Sequence, residues 1–178
     1  MRRVIFVDGY NLIYATPALA ALLQSDLALA RERLLQRLIA RYRHTPHEVI
    51  VVFDGDGPAE TSQSIPGYSR GCVVFSQRGE KADPVIVRLA GEWIAAGFEA
   101  WVYSNDGEVR WGAERAGATA ARADHLRHEI QSAPNHLRKR FTHHQAVRRE
   151  WQKDMNDDAE ARAAIRKKGN PRKPQRRR

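Results

Sequence analysis

The 178-residue chain has a single cysteine, Cys72. It can form no internal disulfide and leaves too few thiolates for a structural zinc site. Long apolar runs are also missing; a stretch such as Ala18-Leu19-Ala20-Ala21-Leu22-Leu23 is far too short to cross a bilayer. The amino end opens with Met1-Arg2-Arg3, but its apolar run meets Asp8 before a signal-peptide core develops. No internal repeat and no collagenous, coiled-coil or low-complexity pattern covers the chain. No Ser/His/Asp or Cys/His constellation for covalent catalysis stands out. These absences set the expectation of a soluble, cytoplasmic protein in a reducing compartment, with no membrane partner.

Enough apolar residues are present for a buried core, at 42% of the chain. The charge is divided unevenly. Residues 1–133 carry 15 Lys/Arg against 16 Asp/Glu, whereas residues 134–178 carry 15 against 5. A near-neutral body over 1–133 is thus followed by a basic extension over 134–178. Such a segment is drawn to polyanions by counterion release, so RNA or DNA is the leading partner class. The alternative is a solubilising end. Within the extension, Phe141 to Met155 has Val147, Trp151 and Met155 on one helical face, a pattern that suits packing. Trp151 among Arg148, Arg149 and Lys153 could instead stack on a base. Residues 166–178 hold eight Lys/Arg and two prolines, a composition that favours disorder and sequence-independent phosphate contacts.

Strand and helix signals alternate along the body. Arg3-Val4-Ile5-Phe6-Val7 is a β-branched run ending at Asp8-Gly9, as in a buried parallel strand. After a cap at Ser25 or Asp26, Leu27, Leu34, Leu35, Leu38, Ile39 and Tyr42 recur at helical spacing. Val49–Phe53 predicts a second strand, stopped by Asp54-Gly55-Asp56-Gly57-Pro58. The polar segment from Ala59 to Gly71 predicts a loop, and Cys72–Phe75 a third strand. Pro84 opens a helix in which Ile86, Leu89, Ala90, Trp93 and Ile94 share a face. Ala100–Tyr103 predicts a fourth strand, and a short strand near Ala118–Ala121 and a helix around Asp124–Ile130 close the body. The alternation implies an α/β fold with a mostly parallel sheet flanked by helices.

Asp8, Asp54 and Asp106 each follow an apolar strand, and Asp83 precedes a helix. In an open parallel sheet these strand ends share one edge, where ligands bind. Carboxylates gathered there repel one another unless a cation neutralises them. Such oxygen donors suit Mg²⁺ or Mn²⁺, which can activate water for phosphodiester hydrolysis. Each acid also has a purely structural role open to it. Asp54-Gly-Asp-Gly-Pro is good turn chemistry, Asp83-Pro84 resembles a helix start with Asp as the cap, and Asp106 can cap the next helix. His125 and His128 share a helical face but lack partners at metal spacing, and His143-His144 lie in the basic region.

Taken together, these residues resemble a known family. Val7-Asp8-Gly9-Tyr10-Asn11-Leu12-Ile13 resembles the opening motif of NYN-domain nucleases, a branch of the PIN-like superfamily. Val52-Phe53-Asp54-Gly55, Glu80-Lys81-Ala82-Asp83 and Ser104-Asn105-Asp106 are similar to the later motifs, in the same order. Gly117-Ala118, Leu126 and Glu129-Ile130 further resemble the YacP-like subgroup, so the likeness covers about residues 1–131. It implies a PIN-like sheet and a metal-dependent endoribonuclease acting on messenger RNA at the ribosome. It also implies Asp8 and Asp83 as the principal metal-binding acids, with Asp54 and Asp106 completing the pocket and Asp106 a further metal ligand. Asn11, Ser104 and Asn105 become candidate substrate contacts, Asn11 by positioning Asp8 or a phosphate. The sequence departs from the family pattern at Pro84 and at Val87, where an acid usually stands one helical turn after Asp83.

Two other functions compete. Val52-Phe53-Asp54-Gly55-Asp56-Gly57 also resembles the nucleophile motif of haloacid-dehalogenase-like phosphatases, but those chains place it on their first strand, and here Asp8-Gly9 precedes it. A noncatalytic RNA-binding module with the same fold is the other, because fold alone does not secure activity.

Overall fold

β1 (Arg3–Asp8) lies at the centre of a six-stranded sheet with α1 (Gly9–Ala15), α2 (Pro17–Leu23) and α3 (Leu27–Tyr42) following it in sequence. Then come β2 (Glu48–Gly57), β3 (Thr61–Ile65), β4 (Tyr68–Gln77), α4 (Ala82–Ala95), β5 (Glu99–Tyr103), α5 (Gly107–Arg115), β6 (Thr119–Ala121) and α6 (Ala123–Gln131). The computed structural model describes residues 3–131. The expectations for Phe141–Met155, Arg148, Arg149, Trp151 and residues 166–178 lie outside the described residues.

The sheet order is β3-β4-β2-β1-β5-β6, and all neighbours run parallel except the edge pair β3 and β4. Alternation along the strands divides the core. Val4, Phe6, Ile50, Val52, Val74, Ala100 and Val102 pack with Val85, Ile86 and Ala90 of α4 and Val109 and Ala113 of α5. The intervening Ile5, Val7, Val49, Val51 and Phe53 are equally buried on the other face, where α1 packs on β1 and β2 and α1, α3 and α6 touch one another.

Three expectations are corrected. The segment Ala59 to Gly71 is not a loop, because Thr61–Ile65 pairs antiparallel with β4. Its residues are exposed up to Ile65, so an edge strand wet on both sides carries no hydrophobic alternation to signal it. Pro66 and Gly67, with φ +77° at the glycine, form the two-residue connection between the paired Ile65 and Tyr68. The second strand does not stop at Asp54 but runs to Gly57. Finally, Asp83 is not the cap of α4 and Pro84 is not its first residue. Lys81 is the N-cap, and Asp83 and Pro84 lie within the first turn, where proline loses no intrahelical bond. Asp26 does cap α3, accepting from the Leu29 N–H at 2.9 Å.

Candidate active site

Strand phase places the first three site residues. Asp8 continues the β1 positions Val4 and Phe6, Asp54 continues Ile50 and Val52, and Ser104 continues Ala100 and Val102. All three therefore emerge at the carboxyl edge on the α4 face. α4 then begins beside them: the Ala82 N–H donates to Asp54 Oδ1 at 2.7 Å, which ties the end of β2 to the helix carrying Asp83.

Asp8 is only 5% exposed, and its carboxylate is held from three directions. Oδ1 accepts from the Asn11 N–H at 3.0 Å, while Oδ2 accepts from Asn11 Nδ2 at 2.7 Å and from Ser104 Oγ at 3.1 Å. Oδ2 is thus saturated, and Oδ1 keeps one acceptor position. Ser104 Oγ also accepts from the Asp106 N–H at 3.0 Å, and Asp106 Oδ1 caps α5 by accepting from the Glu108 N–H at 2.7 Å. Asn11 is turned onto Asp8. The expectation that Ser104 meets substrate is corrected: it is fully buried and committed to Asp8 and Asp106. Asn105 is half-buried, and its Oδ1 is buried without a hydrogen-bond partner among the described residues.

The electrostatics unite the acids. Burial raises the Asp83 pKa above its usual value, and the charges of Asp8, Asp106 and Asp54 raise it further, against a smaller opposing pull from Lys81. Burial likewise raises Asp8, outweighing its three donors, and Asp54 adds to the shift. The four carboxylates are therefore near enough for their charges to act on one another. Among the described residues, no three acids, histidines or cysteines stand close enough to enclose an ion. The donor set suits Mg²⁺ or Mn²⁺, which keep several waters and need one or two carboxylates from the protein. Val87, at the position of the missing acid, packs instead against α5: a Cβ on Gly112 would stand 3.0 Å from Val87 Cγ2.

The raised Asp8 pKa has a consequence for stability. Between the unfolded value near 3.8 and the higher folded value, the folded chain holds more protons than the unfolded chain. The Asp8 contribution to stability thus falls as pH rises through that window, and the penalty is complete above the folded pKa. Asp8→Asn carries no such penalty. In chelator, the difference in melting midpoint between Asp8→Asn and wild type should shift in favour of wild type as pH drops from about 7 to about 4. A difference that does not change with pH would show that Asp8 is not held against its charge.

Sequence alone did not reveal the residues that brace this edge. Arg31 of α3 donates to the Tyr10 hydroxyl through Nε at 3.0 Å and also through Nη2. Its guanidinium lies over the rings of Tyr10, Phe53 and Phe75 at 5.3 to 5.5 Å, fixing the turn that follows Asp8. Arg78 and Arg110 reach backbone carbonyls at the same edge. Isolated arginines give no spacing signal by which to find them.

The comparisons with known proteins agree with this architecture. The YacP-like NYN domain model matches residues 5–167, farther along the chain than the motifs reach. The uncharacterized protein YacP of Bacillus subtilis (strain 168) is 28% identical over 142 residues, covering 77% of this chain and 80% of the relative. A crystal structure of Rae1 (YacP) from Bacillus subtilis superposes with a TM-score of 0.62 at 25% identity, covering 93% of this chain and 95% of that one. A mutant form of the same protein gives 0.62 at 28% identity, over 81% and 84%. The phosphatase reading falls away, since the Asp54 motif lies on the second strand and its carboxylate caps α4. The chain belongs to the YacP-like NYN domain family, and that membership points to a nuclease.

Proposed function

We propose that this protein is a metal-dependent endoribonuclease that hydrolyses phosphodiester bonds in messenger RNA at the ribosome, in the cytoplasm. The observation that carries the proposal is the convergence of Asp8, Asp54, Asp83 and Asp106 at one end of the parallel sheet. Asp8 and Asp83 are the residues to hold Mg²⁺ or Mn²⁺, with waters completing the shell and Asp106 adding negative charge nearby. Such an ion, when bound, supplies an activated water and stabilises a leaving oxygen. Asn11 and Ser104 fix the Asp8 carboxylate so that the acceptor position left on Oδ1 has a defined place. Asp54 sets the start of α4, and so the place of Asp83, through the Ala82 N–H.

The test is incubation of the purified protein with end-labelled RNA, with and without ribosomes, in Mn²⁺, Mg²⁺ or chelator. Internal cuts that vanish in chelator are expected, and they should accumulate faster on translated message than on naked RNA. Uncut RNA under every condition would leave a noncatalytic RNA-binding module.

The basic extension has a separate role. Deleting residues 166–178 removes eight Lys/Arg and should weaken binding to ribosomes and flatten its salt dependence. Cleavage at saturating substrate should change little, because the acids lie in the body. A salt series that superposes on that of the full chain would assign the segment no part in binding.

A further inference from the structure

We propose that Arg78 and Arg110 grip RNA phosphates on either side of Asp8, so that the strand crosses the sheet edge from β5 toward β2. The proposal rests on the nuclease reading and gives its crevice a substrate track. Arg78 follows β4: its Nε donates to the Asp56 carbonyl at 2.9 Å, and its N–H donates to the Gly57 carbonyl at 2.8 Å. Arg110 lies one turn into α5 and curls back, so that Nη1 donates to the carbonyls of Ser104 at 3.0 Å and Asp106 at 3.2 Å. Each guanidinium is thus fixed by main-chain oxygens at the end of a strand that carries a site acid.

Neither forms an ion pair within the described residues, a state they share with arginines such as Arg43, Arg70 and Arg115, whereas Arg3, Arg41, Arg88, Arg122 and Arg127 are paired. Arg110 also stands near the positive end of α5, where a cation is disfavoured on its own account. Lys81 is the N-cap of α4 and adds a positive charge that acts on Asp83. Arg78 and Lys81 line the same open depression, which also includes Gln77, Glu80 and Pro84, immediately before Asp83. Arg78 and Arg110, placed beside a carboxylate cluster yet bonded to carbonyl oxygens and to no carboxylate among the described residues, keep their charge for an anion that arrives from outside. Arg78 follows β4 but its guanidinium is held against the end of β2, while that of Arg110 is held just after β5, so β1, which ends in Asp8, lies between the two anchoring strands. The competing account is that the arginines only soften repulsion among the acids, in which case RNA affinity would not depend on them.

The test is binding of a fluorescein-labelled single-stranded RNA to the full chain in chelator, across a salt series, for wild type, Arg78→Gln, Arg110→Gln and the double variant. Glutamine removes the charge and shortens the side chain while keeping an amide donor. Each single change should weaken binding about fivefold and lower the salt slope by about 0.7, the single-strand value for one phosphate contact. Arg110→Lys should retain most of the affinity, and Arg88→Gln, which removes a paired cation, should bind as wild type does. Equal melting midpoints exclude a folding defect as the cause. Unchanged affinity and slope in the double variant, or no RNA binding by wild type, would overturn the track. If wild type still cuts RNA in Mn²⁺ while the double variant binds normally, the nuclease reading survives and the track does not. If the variants lose affinity but wild type cuts nothing, the track survives on a noncatalytic protein.

Discussion

Asp8→Asn should lower RNA cleavage by about three orders of magnitude or more while leaving the protein folded, as expected when a metal-assisted hydrolysis loses its anchoring charge. The substitution keeps the shape of the side chain. Its carbonyl can still accept from the Asn11 N–H, and the amide that replaces Oδ2 requires Asn11 and Ser104 to reorient. Against that local cost stands relief of a buried charge whose ionisation is already disfavoured. Asp83→Asn should show a similar loss of activity. It removes no cap, because Lys81 occupies that position and Asp54 receives the Ala82 N–H. The measurement is the initial rate on labelled RNA in saturating Mn²⁺, beside a thermal melt of each variant. Full activity in either folded variant would sink the metal-nuclease assignment.

Three of the candidate acids, Asp8, Asp54 and Asp106, were legible in sequence because they follow apolar runs. Val4-Ile5-Phe6-Val7 and Val49–Phe53 are buried on both faces, and their short β-branched runs fit the strands of a parallel sheet. Once the sheet is parallel, Asp8, Asp54 and Asp106 must come to one edge. What could not be read is how they are held. Ser104 looks like any polar residue after a strand, yet its phase places it beside Asp8, where it is fully buried as a donor to that carboxylate and an acceptor from Asp106. The short α1 and α2 carry too few residues to show a period, and β3 buries only Ile65. Asp83 fits a cap by its neighbour Pro84, but a carboxylate distant in sequence, Asp54, takes the helix N–H instead. Local patterns carry no information about such long-range substitutions.

Gly55→Ala should destabilise the protein by about 3 kcal/mol and abolish most cleavage, at a position that sequence alone assigns to a turn. Neither Gly55 nor Gly57 has a positive φ, so left-handed backbone is not the reason for either glycine. Close approach is the reason for the first. A Cβ on Gly55 would stand 2.0 Å from the Ser76 carbonyl oxygen and 3.1 Å from Phe75 Cβ, and a backbone oxygen cannot swing aside as a side chain can. β2 and β4 must therefore separate at the edge. The Gly55 N–H donates to Ser76 Oγ at 3.1 Å, and that hydroxyl donates to the Glu80 carbonyl at 2.6 Å, three residues before Asp83. Asp54, next in the chain, holds the first N–H of α4. Separation of the strands thus shifts Asp54 and Asp83 together, and the effect on rate should exceed what the lost stability alone explains. Gly57→Ala is the control, since its Cβ would meet nothing nearer than the Ala59 carbonyl oxygen at 3.5 Å. Denaturant unfolding and cleavage assays on both variants give the comparison. Gly55→Ala with wild-type stability, or Gly57→Ala with an equal loss, would show that contact between β2 and β4 does not set the geometry of the acids.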